Sequence, residues 1–208
     1  MKKILLALAL TLGMGVAAAA DLSSVGSTGV EATVDYSYAR SIGTPSYLAE
    51  HQALAGVQVN AGALGSFGLE AGDTQLVTNY RLNFTTFALG YANGFKVGSL
   101  SVVGNVNYLV ATQDKWFFSG RNGSASIDEV IGTVEVNAPI TSSVKLFADY
   151  SHAYAWVPAL SAGGLTSNGA SLGAYVNLSK SVVAKAGYTR DWTAGNAQGL
   201  LASLSYKF

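Results

Sequence analysis

Apolar and polar residues alternate along this chain with a period of two. The run Val30 to Tyr38 sets Val30, Ala32, Val34, Tyr36 and Tyr38 against Glu31, Thr33, Asp35 and Ser37. Successive side chains of a strand point to opposite faces, so this pattern predicts a strand with one apolar and one polar face. The last run repeats it, with Leu200, Ala202, Leu204, Tyr206 and Phe208 opposite Gly199, Leu201, Ser203, Ser205 and Lys207. Further strands are predicted near 51–62, 67–77, 80–92, 99–112, 127–138, 144–155, 169–178 and 182–193. Some are clean: Ala170, Leu172, Ala174, Val176 and Leu178 oppose Ser171, Gly173, Tyr175 and Asn177. In 80–92 the apolar set shifts from Leu82 and Phe84 to Phe87, Leu89 and Tyr91. A β-bulge near Thr85–Thr86, or a misplaced strand boundary, accounts for the slip. The run 67–77 is weakest, because Gly68 and Gly72 fall inside it. The expectation is about ten strands of about ten residues each, or eight if 67–77 and a neighbour are not both strands.

Alternation alone does not say which face meets the surroundings, since a soluble barrel alternates as well. Composition decides. Charged residues make up 12% of the chain and hydrophobic residues 50%, against about 25% charged in ordinary soluble domains. Few charges remain to solubilise an exterior. After residue 20 no apolar run approaches the ~18 residues of a spanning helix. The apolar faces are therefore expected to meet lipid and the polar faces a lumen. Ring residues near strand ends fit two interfacial girdles. Tyr36, Tyr38, Tyr108, Tyr150, Tyr188 and Trp192 would form the outer one, and Phe67, Tyr91, Tyr206 and Phe208 the inner. Short connections at 63–66, 93–98, 139–143 and 179–181 alternate with longer ones at 40–50, 113–126 and 156–168, and with 78–79 and 194–198. Short turns belong to the periplasmic side and long loops to the exterior. The predicted fold is an all-β, transmembrane, antiparallel up-and-down β-barrel.

The chain begins Met1-Lys2-Lys3, runs uncharged from Ile4 to Val16, and passes Ala17 to Ala20 before Asp21. This is the pattern of a secretory signal peptide over 1–20, leaving 21–208 as the barrel domain. Loss of Lys2 and Lys3 leaves ten basic against twelve acidic residues, a balance without the basic footprint of nucleic-acid binding. There is no cysteine to form a disulfide framework. The segment Ala202-Ser203-Leu204-Ser205-Tyr206-Lys207-Phe208 ends on an aromatic residue with apolar residues at alternate positions. It resembles the C-terminal assembly signal of outer-membrane proteins. That resemblance implies recognition of the last strand by the barrel-insertion machinery, through Tyr206 and Phe208, and residence among the lipids of the cell outer membrane. Over the whole chain the pattern is similar to the small barrels of the opacity, attachment and outer-membrane-protein-A-like group. Most of these have eight strands, so a reading of about ten departs from the group.

On this alternation the lumen receives Glu31, Asp35, Glu70, Glu129, Glu135, Asp149 and Asp191 against Arg81, Lys145, Lys185 and Lys207. Gln58, Asn60, Asn83, Asn105, Asn107 and Asn137 accompany them. A barrel of eight to ten strands is only just wide enough to be filled by side chains, and an unpaired buried charge is costly. The expectation is an internal polar network in which Glu129, Glu135 and Asp149 meet Lys145, Lys185 or Arg81. A narrow, cation-preferring water path is the alternative. Catalytic groupings are sparse. His51 and His152 are the only histidines, and Asp149, three residues from His152, belongs to the opposite strand face. No serine sits in a recognisable Ser/His/acid motif, no metal-ligand cluster appears, and no glycine motif would cradle phosphate. No enzyme, cofactor or metal site is expected. The segment 113–123 carries Trp116, Phe117 and Phe118, and the seventh strand ends near Trp156. These rings extend the girdle, cover the mouth, or contact a surface ligand or protein partner. The functional expectation is a structural or surface-interaction barrel, with a narrow porin-like channel for water, ions or small solutes as the alternative. Deleting Phe208 should sharply lower the yield of heat-modifiable, membrane-assembled barrel in cells. Undiminished yield would show that the terminal ring is not part of the assembly signal.

Overall fold

Strands with one lipid-facing side cannot leave a backbone edge exposed in a bilayer, because nothing there replaces the missing hydrogen bonds. The computed structural model describes residues 28–41, 49–77, 81–113, 125–156, 164–192 and 197–208, and among these the sheet has no free edge. Its strands are β1 (Thr28–Ser41), β2 (Ala49–Ala61), β3 (Ser66–Val77), β4 (Arg81–Val97), β5 (Leu100–Gln113), β6 (Ala125–Pro139), β7 (Val144–Trp156), β8 (Leu165–Asn177), β9 (Val182–Asp191) and β10 (Ala197–Lys207). Each pairs antiparallel with its neighbour in sequence, and β10 pairs with β1 to close the barrel. The strands expected from the alternation are all present, including β3 through Gly68 and Gly72. The signal segment 1–20 lies outside the described residues.

The ladders also fix the tilt. From Gly29 the path between paired residues runs through Asn60, Ser66, Ala92, Asn105, Thr133, Ser151 and Gly169 to Asp191. It continues to Ala197, which pairs with Ser41, twelve residues beyond Gly29. That stagger over ten strands tilts them by about 40° and gives a backbone cylinder of about 10 Å radius. At this tilt ten residues climb roughly 25 Å, the height of an outer-membrane apolar band.

Connections at one end are short. A 3-10 turn at Gly62–Leu64 joins β2 to β3, and Gly98 takes φ 62° between β4 and β5. The turns after β6 and β8 use one device. Thr141 Oγ1 accepts the N–H groups of Ser143 and Val144, and Ser179 Oγ those of Ser181 and Val182. Thr28 and Lys207 lie at this same end, which is therefore the periplasmic one. The end of β10 is tied on both sides: Lys207 N–H donates to Ser181 O at 2.8 Å, and Phe208 N–H to Val30 O at 3.1 Å.

The faces follow the alternation almost throughout. Val34, Val57, Leu69, Leu89, Val106, Val134, Leu172 and Leu204 are exposed on the outside, while Glu31, Asp35, Gln58, Asn60, Glu70, Asn105, Asn107 and Glu135 are buried inside. One expectation is corrected. The register between β3 and β4 runs unbroken from Val77↔Arg81 to Ser66↔Ala92, so there is no bulge at Thr85–Thr86. Instead Leu82 and Phe84 point inward with Leu76, and all three are buried. Asn83 is correspondingly exposed on the outer face, not in the lumen. Near the mouth the interior is apolar on this side, which the rule of apolar residues outside does not anticipate.

Leu172 is 63% exposed near the middle of β8, whereas the inward Ser171 hydroxyl bonds Thr189 Oγ1 at 3.2 Å. Leu172→Arg should destabilise the barrel by ~2–4 kcal/mol, and Ser171→Arg, which faces Asp149, by less. Reversible unfolding from lipid vesicles measures both, and the reverse order would invert the faces of β8.

Candidate functional site in the lumen and at the outer rim

The inward polar residues gather into two networks in the periplasmic half. The first centres on Glu135 of β6, which is wholly buried. Its carboxylate accepts from Asn137 Nδ2 at 2.8 Å, from the Tyr175 hydroxyl at 2.9 and 3.0 Å, and from Lys185 Nζ at 3.1 Å. Glu135 stands directly opposite Asp149 in the β6–β7 ladder. Like charges facing each other destabilise a sheet, but Lys185, reaching over from β9, acts on both carboxylates. Asp149 also accepts the Ser171 N–H at 3.1 Å. The Lys185 ammonium lies 4.5 Å from the ring centroid of Phe147 and 5.0 Å from that of Tyr175, so its desolvated stem and charge rest against two π-faces. Phe147 can lie there because Gly173 and Gly187 have no side chains. A Cβ at either would come within 2.7 or 2.8 Å of its ring.

The second network lies across the closing seam. Lys207 Nζ pairs with Glu31 Oε1 at 3.3 Å, and Asn60 Nδ2 donates to the same oxygen at 2.9 Å. Asn60 Oδ1 accepts from Gln58 Nε2 and Ser66 Oγ, both at 2.6 Å. Higher up, Thr33 donates to Glu70 Oε1 at 3.2 Å, and Gln52 donates to Thr74, which bonds Thr86 at 2.8 Å. Asp35 is buried inside the barrel beside them. Lys145 points inward and is half-buried, and no ion pair joins it to Asp149 among the described residues. Arg81 begins β4, and its side chain lies outside the described residues.

The outer half of the lumen is built differently. Glu129 is wholly buried, and neither of its carboxylate oxygens has a hydrogen-bond partner. Glu50 and Asp191, also inward and buried, are near enough for their charges to act on it. Leu109 faces Glu129 across the ladder. Leu76, Leu82, Phe84 and Ile127 form buried apolar wall toward the mouth. Below Glu129, Asn105 and the Asn107 carbonyl are buried without partners. On the β7–β10 side the inward residues Asp149, Ser171, Lys185, Ser203 and Lys207 are only half-buried.

At the outer rim the aromatic residues face outward and interlock. Tyr36 hydroxyl and His51 Nδ1 share a hydrogen bond of 2.8 Å, with the Tyr38 ring 4.9 Å from that of His51. Asn168 Oδ1 accepts from the Tyr150 hydroxyl at 2.6 Å and from His152 Nδ1 at 2.8 Å. His51 on β2 and His152 on β7 thus sit on well-separated parts of the outer face, while Asp149 points inward, and no acid–base pair is assembled from them. Trp156 packs between Tyr154 and Tyr108, with centroids 5.6 and 6.4 Å away, as a girdle residue at the end of β7. Trp116, Phe117 and Phe118 lie outside the described residues. At the inner end Phe67 meets Tyr91 and Tyr206 meets Phe208, each pair 5.0 Å apart.

No protein-family model and no curated protein sequence matches the chain. Solved structures do. An outer-membrane channel from Pseudomonas putida F1 superposes with a TM-score of 0.57 at 10% identity, over 87% of this chain and 96% of that one. The beta domain of the Bordetella autotransporter BrkA gives 0.51 at 11%, over 87% and 99%. The translocator domain of the autotransporter NalP from Neisseria meningitidis gives 0.50 at 11%, over 87% and 89%. The fold is that of a bacterial outer-membrane β-barrel. At such identities the likeness is one of architecture, and the lumen has to be understood from its own residues.

Sequence reasoning missed the inward apolar group of Leu76, Leu82, Phe84 and Ile127. It also passed over the outward arginines Arg40 and Arg190. Both sets sit near the outer strand ends, and distance from the strand end was the available signal. Lys185→Met should remove the cation that pairs with Glu135 and acts on Asp149. The expected cost is about 3–5 kcal/mol of unfolding free energy. Adding Glu135→Gln should recover part of it, and a single variant as stable as wild type would show that Lys185 carries no such role.

Proposed function

We propose that this chain is a structural and surface-interaction barrel of the outer membrane, a rigid scaffold that displays its external segments while its own lumen stays closed. The observation that carries this reading is the chord of Glu135, Tyr175 and Lys185 across the lumen, with Glu31 and Lys207 closing the seam beside it. A charge pair spanning β6 to β9 narrows a cylinder of about 10 Å backbone radius and supports a closed lumen. The aromatic segment with Trp116, Phe117 and Phe118, together with Trp156, offers contact area to a surface ligand or protein partner. Tyr206 and Phe208 engage the barrel-insertion machinery. Kinship with the opacity, attachment and outer-membrane-protein-A-like barrels is supported by the alternation and the terminal segment, against a strand number of ten. No catalytic step is assigned.

A second reading, a narrow channel for water, ions or small solutes, is favoured by Glu129, Asn105 and Asn107. Buried polar groups without partners are places for ordered water, and the half-buried β7–β10 wall extends them toward the periplasm. Planar-bilayer recording separates the two. The wild-type barrel should pass little or no current. Replacing Glu135 and Asp149 together by alanine should release Lys185, hydrate the lumen, and give openings that are larger and less cation-selective. Stable cation-selective openings of the wild-type protein would transfer the assignment to the channel, and silence of both proteins would move the closure from the lumen to the mouth.

A further inference from the structure

Two outward arginines stand close together at the upper rim of the barrel. Arg40 is opposite Gln198 in the β1–β10 ladder, and Gln198 is opposite Arg190 in the β10–β9 ladder. All three are exposed and point outward, one residue from the outer end of each strand. Two strand spacings separate the arginines, about 10 Å between their backbones. The Tyr188 hydroxyl donates to Gln198 Oε1, which leaves the Gln198 amide nitrogen as a donor between two guanidinium groups. Both arginines also make contacts within the protein, but a guanidinium has five N–H donors and is not exhausted by one contact. His152 and Asn168, paired across β7 and β8, lie nearer the outer end than this row, and His51 on β2 is opposite Tyr38.

The row directly below is apolar and continuous. Tyr38, Leu200, Tyr188 and Leu172 are successive partners across β1, β10, β9 and β8, and Leu200 and Leu172 are among the most exposed large side chains of the molecule. Among the described side chains of β3 to β6, the outward charges toward the outer ends are Asp73 on β3 and Asp128 on β6, the latter bonded by the Tyr108 hydroxyl at 3.3 Å.

We propose that Arg40, Gln198 and Arg190 form a binding site for the phosphorylated headgroup of a membrane lipid, whose acyl chains lie on Leu172, Tyr188 and Leu200. A planar guanidinium matches phosphate oxygens in a bidentate fork, and a basic residue near a membrane surface favours an anionic headgroup. The occupant is a lipid rather than a free anion. The donors stand on the lipid-facing side at headgroup level, and the surface beneath them is suited only to hydrocarbon. Asp73 and Asp128, outward on β3 and β6, offer phosphate no such pairing. The site is independent of whether the lumen conducts.

The test uses the refolded full-length mature barrel in neutral detergent, with dioleoyl phosphatidic acid and dioleoyl glycerol as probes and native mass spectrometry as the readout. The two lipids share their chains and differ by the phosphate. Wild type should retain phosphatidic acid in clear preference to the glyceride. Arg40→Gln with Arg190→Gln should weaken that retention about 30-fold, and each single variant about 5-fold. Heat-modifiable migration confirms that each variant is folded, and the wild-type preference alone stands as a test if the double variant does not fold. Equal retention of both lipids by wild type would overturn the proposal, as would a folded double variant that keeps the preference. Millimolar inorganic phosphate that displaces the lipid fully would reassign the row to free anions.

Discussion

Everything in this molecule depends on closing the hydrogen-bonded ladder. A strand edge in lipid has no alternative partner for its amides, so the sheet must meet itself. With ten strands and a stagger of twelve residues there is one solution for tilt and radius. That radius brings strands several positions apart within reach of long side chains. Inward carboxylates can then find cations on a neighbouring strand, as Glu31 finds Lys207, or three strands away, as Glu135 finds Lys185. The polar core is a consequence of the geometry that satisfies the backbone.

The fold was legible because a period of two carries both the presence of a strand and the phase of its faces. Low charge content chose lipid as the outside. Even β3 emerged despite two glycines, because both fall on the inward face and interrupt no lipid contact. The site was less legible. Alternation states that Glu135, Asp149, Lys145 and Lys185 share the lumen, but partner choice depends on heights around a tilted cylinder. Lys145 lies one strand from Glu135 and makes no ion pair with Asp149 among the described residues, whereas Lys185, three strands from Glu135, pairs with it. The single phase error, at Leu82 and Phe84, came from treating apolar side chains as outward along the whole strand. Near the mouth the solvent outside changes from hydrocarbon to headgroup, and on the β3–β4 side the inner wall packs with apolar residues. Arg40 and Arg190 are the counterpart of that error: charged residues on the face that is apolar lower down.

The two halves of the lumen express different compromises. The periplasmic half is dense with paired donors and acceptors, which makes it rigid and expensive to disturb singly, since each group removed strands another. The outer half holds Glu129 without a partner beneath an apolar rim. A barrel whose interior were uniformly satisfied would have no such point of tension.

The placement of Lys185 has a temporal meaning as well. Nine of the ten strand pairings join neighbours in sequence, and these can form in order as the chain inserts. The bridge to Glu135 links residues 50 positions apart, and its cation belongs to the ninth strand. β6 pairs only with β5 and β7 in the ladder, so this bridge, unlike the pairing of neighbouring strands, can form only once β9 is in place.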